Sequence, residues 1–463
     1  MWEKTNLIWI LSDQHRFCDV GYAGNKDVET PNLDLLCETG VNFTNAYSSC
    51  PLCVPARGSL LTGLHALGHG AAANDLPIRP GCESIATVLG KAGYETAYIG
   101  KWHLGGTPRE AFIPYYNRLD FKYWRASNCN HNYLEGYYDD NNNIRHPIEG
   151  YAPVGETDLA LKYLETDRDK SKPFALFLNF GTPHDPYFAL PPGDLERYKE
   201  KELTLRGNCR TEIREGESLF GNYDPHEYYA GYYAHIRQLD IQIGRVIEKL
   251  KQDGMYENTI ILYTSDHGDM LGSHGYLNKQ LYYEESARVP FLISWPGHIE
   301  KGTRRAAIGS VDVAPTILGL LDLGFSGRID GRDLSDIARD SANDGRRYVY
   351  FYSYVPCHQA AGRKIASWRA VSDGEYMLVT DHHRQVLEMY DLKTDPLQEH
   401  DCKNQKEYQD KKDELLGELD KEVALTDGYV EWKELLREKG LMEQWEESNE
   451  HFDYFLGEWL KKL

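Results

Sequence analysis

Short, predominantly apolar runs recur along this chain, and each leads into residues bearing charge or a ring nitrogen. Residues 7–11 (LIWIL) end in Ser12-Asp13-Gln14-His15, residues 174–180 (FALFLNF) lead to Pro183-His184-Asp185, and residues 259–263 (TIILY) lead to Asp266-His267. An apolar run of this length bounded by polar residues predicts a strand buried on both faces. Between the runs lie helical stretches. Residues 232–250 place Ile236, Leu239, Ile243, Val246, Ile247 and Leu250 on one helical face. Residues 31–36, 57–64 and 84–91 read as further helices, and residues 94–99 and 289–293 as further strands. This alternation predicts an α/β fold: a large, mostly parallel or mixed sheet sandwiched by helices. Ligands of such sheets sit at the carboxyl ends of the strands, where the charged residues fall.

Past residue 345 the pattern changes. Residues 348–354, 367–370, 375–380 and 387–392 read as strands and are followed by acidic helices. We expect a catalytic α/β domain over residues 1–345 and a smaller C-terminal domain, an antiparallel sheet with helices, over residues 346–463. Residues 105–160 lack regular pattern and are rich in Tyr and Asn, too long for a silent connection.

The net charge of −21 repels polyanions and argues against nucleic acid as a partner. No apolar run approaches the length of a membrane span, and the amino terminus lacks the pattern of an export leader. Nine cysteines at irregular spacing read as mostly free and buried, as in a reducing compartment. These features predict a cytoplasmic protein with no membrane partner.

Asp13, Asp266 and His267 follow strands directly and can converge on one cation. Carboxylate oxygens suit calcium, magnesium or manganese, and the imidazole leaves manganese or zinc open. Capping of turns is the plainer role for the same carboxylates. Cys53 precedes Pro55 at a helix start, where the dipole favours a thiolate, and Arg57 lies one turn on. A buried thiol is the plainer alternative. Lys101 and His103 share one side of an extended segment, His184 is stiffened by prolines on both sides, and Lys279 precedes a Tyr-Tyr-Glu-Glu run. Together these groups describe an α/β hydrolase that processes an anion.

The segment CVPARGSLLTG (53–63) resembles the signature of the type I sulfatases, a family of the alkaline-phosphatase-like superfamily. TPNLDLL (30–36), GKWHLG (100–105), TPHDP (182–186), SDHGDMLGSHG (265–275), YEESARVP (283–290) and EMYDLKTDP (388–396) extend the resemblance over nearly the whole chain. It implies that a separate formylglycine-generating or sulfatase-maturing enzyme, a transient partner, converts Cys53 to formylglycine. The hydrated aldehyde attacks sulfur through one hydroxyl, and the second helps expel sulfate. Asp13, Gln14, Asp266, His267 and modified Cys53 would hold a divalent metal, with Ca2+ favoured over Mn2+ or Mg2+. Arg57 would orient the diol, Lys101 and Lys279 would offset sulfuryl charge, and His103 would take the diol proton. His184 would assist the leaving oxygen, and Asn74 would touch a substrate oxygen. Many members have paired aspartates where this chain has Asp13-Gln14; the neutral amide lowers the site's negative charge.

The expected reaction is sulfuric ester hydrolysis on a small sulfated mono- or oligosaccharide. Residues 121–145, dense in aromatic and amide groups, would recognise the sugar, with Tyr352, Tyr354, His358 or Arg363 closing the far side of the cleft. The alternatives are a phosphonate monoester or phosphodiester hydrolase, an arylsulfatase or choline-sulfatase-like enzyme, and an inactive protein that binds sulfated ligands.

Overall fold

In the computed structural model, residues 4–215, 217, 223–341, 348–357, 359–363 and 367–460 are described. The first ten strands are β1 (Asn6–Asp13), β2 (Val41–Tyr47), β3 (Glu95–Lys101), β4 (Tyr123–Ser127), β5 (Tyr137–Asp139), β6 (Arg145–Pro147), β7 (Phe174–Pro183), β8 (Thr259–Ser265), β9 (Phe291–Ser294) and β10 (Gly302–Gly309). They form one sheet in the order β10-β2-β9-β8-β1-β7-β3-β4-β5-β6. The centre is parallel: β1 pairs with β7 and β8, and β3 with β7 and β4. β9 runs antiparallel to β2 and β8.

Every residue of β1 is buried, because helices cover both faces. Alternation along the strand sends Leu7, Trp9 and Leu11 to one side and Ile8 and Ile10 to the other. The first set packs with Leu60, Leu61, Ile317 and Leu318. The second meets Leu239, Ile243, Val246 and Leu250 of the long helix Pro225–Gln252, the apolar stripe read from the sequence. The expected α/β sandwich is the observed one.

A second sheet is an antiparallel meander of β11 (Val349–Ser353), β12 (Trp368–Ser372), β13 (Tyr376–Thr380) and β14 (Val386–Asp391). The expected division at 345/346 falls among residues outside those described, just before β11. One face of this sheet packs Val371, Leu378 and Met389 on Leu415, Leu419 and Val423 of the helix Gln409–Leu425. The other packs Phe351, Trp368 and Val379 on Tyr47, Met270 and Tyr282 of the main body.

Tyr352 and Tyr354 do not border a cleft. Both are fully buried and stack at 3.8 Å, with the Tyr352 hydroxyl accepting from the Ala66 amide. Strand alternation turns them toward the helix side of their sheet. His358 lies outside the described residues. Among the described residues no helix is long and apolar enough to cross a membrane. All nine cysteines are free, five of them buried.

Candidate active site

The helix Cys53–Thr62 begins at the cysteine itself. Leu52 cannot cap it, and Asn74 supplies the missing acceptor, its Oδ1 taking the Val54 amide at 3.2 Å. Gly63 closes the helix in the left-handed region at φ 68°, donating to the Ser59 carbonyl. Gly58 leaves room for the His69 ring, which a Cβ would approach to 2.4 Å. The signature is thus a helix cut to fit its neighbours, with Cys53 held at the amino end.

Around Cys53, the ends of β1 and β8 bring further metal-ligating side chains together. One ligand atom each from Asp13, Cys53, Asp266 and His267 lies within 4.8 Å of the others, and all four residues are buried. Arg57 organises the carboxylates from behind. Its Nε donates to Asp266 Oδ2 at 2.9 Å and its Nη2 to Asp13 Oδ2 at 3.1 Å. Lys101 Nζ also sits on Asp13 Oδ2, at 2.6 Å. The Oδ1 atoms face His267 Nε2, at 3.8 Å from Asp13 and 3.7 Å from Asp266, Asp266 Oδ1 also accepting from the Gln14 and His267 amides at 3.1 and 3.0 Å, while Cys53 Sγ lies 3.1 Å from His267 Nε2. His267 Nδ1 is 2.9 Å from the Gly268 carbonyl. A proton held there leaves the Nε2 lone pair directed into the cluster, the arrangement of a metal-bound histidine. Two carboxylate oxygens and an imidazole nitrogen, converging and backed by outer partners, fit a divalent cation.

Gln14 faces a different neighbour. Its Oε1 accepts from Lys279 Nζ at 2.5 Å and its Nε2 donates to Asp269 Oδ2 at 2.7 Å. Only this amide orientation satisfies both partners. Lys279 Nζ also lies 2.6 Å from His184 Nε2. Lys279 is held between Asn278 and Gln280, both with positive φ. Gln280 donates to the Val355 carbonyl, and Arg363 donates to the Lys279 carbonyl while clamped on Glu217. Arg363 therefore braces Lys279 from behind rather than facing a cleft.

His103, at φ 59°, buries both ring nitrogens without a hydrogen-bond partner. Its Nε2 is 3.9 Å from Asp75 Oδ1, and Asp75 is gripped by Arg109 through two bonds of 2.7 Å.

Electrostatics follow the geometry. Burial pushes the Asp13 carboxyl up, but Lys101, His184, Arg57 and His267 together hold it well below the usual carboxylate range. Burial and Asp13 raise the Cys53 thiol, and Lys279, His267 and Lys101 outweigh them, so it titrates below the ordinary thiol. Burial, then Lys279 and His131, drives the His184 imidazole well below its ordinary value.

The segment after β4 contributes groups that sequence reasoning did not single out. The His131 ring packs on that of His184, tilted by 32° with centroids 4.3 Å apart, and Cys129 Sγ lies 3.2 Å from His131 Nε2. The Tyr133 hydroxyl donates to the carbonyls of Gly181 and His184 at 2.7 and 2.9 Å. Asp269, Asp75 and Arg109 also escaped notice. Asp269 stands three residues past Asp266 in a signature segment, the one signal available; the others sit in unpatterned sequence.

A buried cluster of carboxylates, imidazole and thiol at strand ends, ringed by Arg57, Lys101 and Lys279, defines a hydrolase of anionic esters. The chain belongs to the sulfatase family: the Sulfatase family model matches residues 5–323, and that of the C-terminal region of N-sulphoglucosamine sulphohydrolase matches residues 272–424. It is 35% identical to an ulvan-active sulfatase of Formosa agariphila over 91% of this chain and 81% of that one. A protein solved in complex with its substrate D-glucosamine-2-N,6-O-disulfate superposes with a TM-score of 0.81 at 25% identity, over 92% of this chain and 99% of that one. The phosphonate monoester hydrolase of Agrobacterium radiobacter shares the fold, with a TM-score of 0.74 at 21% identity over 92% and 96% of the two chains. This protein is accordingly a sulfatase, a sulfuric ester hydrolase.

Proposed function

We propose that the enzyme releases inorganic sulfate from a sulfated mono- or oligosaccharide, with Cys53 matured to formylglycine. The observation that carries the sugar reading is the position of residues 123–137, whose His131 and Tyr133 cover His184 at the edge of the reacting centre. Aromatic and amide groups there suit the faces and hydroxyls of a sugar. The names of the relatives, one ulvan-active and one bound to a disulfated glucosamine, support the same reading.

Asp13, Asp266 and His267, with the matured residue 53, would hold the divalent metal, Ca2+ being favoured by the oxygen donors. Gln14 would join them only by giving up Lys279. When bound, the metal supplies Lewis-acid polarisation of the sulfuryl oxygens. Arg57 fixes the outer oxygens of both carboxylates and so sets the direction of the inner ones. Lys101 and Lys279 place positive charge on either side of Asp13 and Gln14, where sulfuryl oxygens would lie. His103, with two unpartnered nitrogens, would hold the proton of the nucleophile's hydroxyl. His184 would stand beside the leaving oxygen, and Asn74 has an amide nitrogen to offer a substrate oxygen.

The test is a sulfate- and phosphate-release panel on protein from a host that matures sulfatases. Maturation is checked by the loss of about 18 Da at residue 53. Sulfated monosaccharides and oligosaccharides should exceed choline sulfate, aryl sulfates and phosphonate monoesters in kcat/KM, and chelation should abolish turnover until Ca2+ is returned. A preference for any of the other esters refutes the saccharide assignment.

A further inference from the structure

Beside Lys101, the ends of β3, β4 and β7 border a small hollow that is partly open to solvent. Ser127, Asn130, Tyr133, Tyr137 and Glu156 line it with Lys101. Its closed end has room for about one water-sized group. Glu156, in the helix Ala152–Lys162, is the unusual member. It is 8% exposed, and its buried Oε2 has no hydrogen-bond partner. A carboxyl in this condition costs the fold stability and returns nothing to it. A second feature points the same way: the hollow is lined by Lys101, whose Nζ sits on Asp13 Oδ2, and by Tyr133, whose hydroxyl donates to the His184 carbonyl, so it adjoins the reacting centre.

The chemistry of the lining selects the ligand. A second sulfate is disfavoured by a carboxyl, and a purely apolar group would leave the Glu156 carboxyl without a partner among Ser127 and Asn130 on one side and Ile148 and Pro153 on the other. A hydroxyl offers one donor and one acceptor, which a protonated carboxyl matches in both senses, and its size suits the closed end. Burial supplies that protonation, pushing the Glu156 carboxyl up to about 8 against the pull of Arg57.

We propose that Glu156 is a specificity-determining residue that receives a hydroxyl of the substrate sugar neighbouring the sulfate ester. The proposal rests on the saccharide reading above. The test compares kcat/KM on the preferred sulfated sugar and on nitrophenyl sulfate for Glu156→Leu and Glu156→Gln. Glu156→Leu should lose about tenfold or more on the sugar and change little on nitrophenyl sulfate, while Glu156→Gln, which keeps a donor and an acceptor, should restore the sugar rate. Equal losses on both substrates, or no loss on the sugar, overturn the proposal. Should Glu156→Leu fail to fold, singly deoxygenated analogues of the sugar replace it: one position should cost the wild-type enzyme the same factor, and uniform rates overturn the assignment. An enzyme that cleaves nitrophenyl sulfate and no sulfated sugar fails at the earlier reading and takes this one with it.

Discussion

Glu156 also has a thermodynamic signature. Its carboxyl titrates at about 8 in the native protein, against 4.5 for an ordinary glutamate. Between these values the folded chain keeps a proton that the unfolded chain has released, so stability falls as pH rises through the window. Below 4.5 the penalty is absent, and above 8 it is complete. Glu156→Gln cannot titrate. Its denaturation midpoint should match the wild type near pH 5 and exceed it near pH 9, and a difference independent of pH would contradict the native protonation. Arg57 works the other way. Its guanidinium is held charged by Asp266 and Asp13 despite burial, so the carboxylate pair has a fixed partner at any working pH.

The helix that starts at Cys53 depends on a residue outside it. Asn74 is its cap in all but sequence position, and Asn74→Ala should lower stability by about 1 kcal/mol, read as a lower urea midpoint with an unchanged slope. Elements of this kind explain what the sequence could and could not disclose. β1, β7 and β8 are legible because burial on both faces demands unbroken apolar runs. β2 mixes buried with half-exposed residues, and β10 is largely exposed over its first half, so both pass for loop. β4 is a five-residue strand inside the stretch that reads as irregular. In the site, Asp13, Lys101, His184 and Asp266 are legible because strands end at them. His131, Arg109 and Glu156 are not, because tertiary folding alone brings an irregular segment and a helix face to the same place. The partner of Gln14 likewise depends on Lys279, a residue far along the chain.

The two sheets are joined at the reacting centre. Lys279, the reach of which sets one wall of the site, is pinned by Arg363 directly and by Val355 through the neighbouring Gln280. Cys50 and Leu52, immediately before the nucleophile, share a core with Tyr350, Tyr352 and Val355, and Cys53 itself is 1% exposed. Synthesis runs from the amino end, so the ribosome delivers this cover late. Until β11 emerges, Cys50 and Leu52 lack the part of their cover that Tyr350, Tyr352 and Val355 supply, and under the proposed maturation of Cys53 its enzyme would have its opportunity then. Once the chain closes, that opportunity would end. A chain stopped before Val349 should therefore leave Cys53 open to an alkylating reagent that the full-length native protein resists, as peptide mass mapping would report; equal protection in both would mean that the cover comes from elsewhere. Under the proposed maturation, the late strands would act as a clock, setting how long an unmodified thiol stays correctable before it is sealed in.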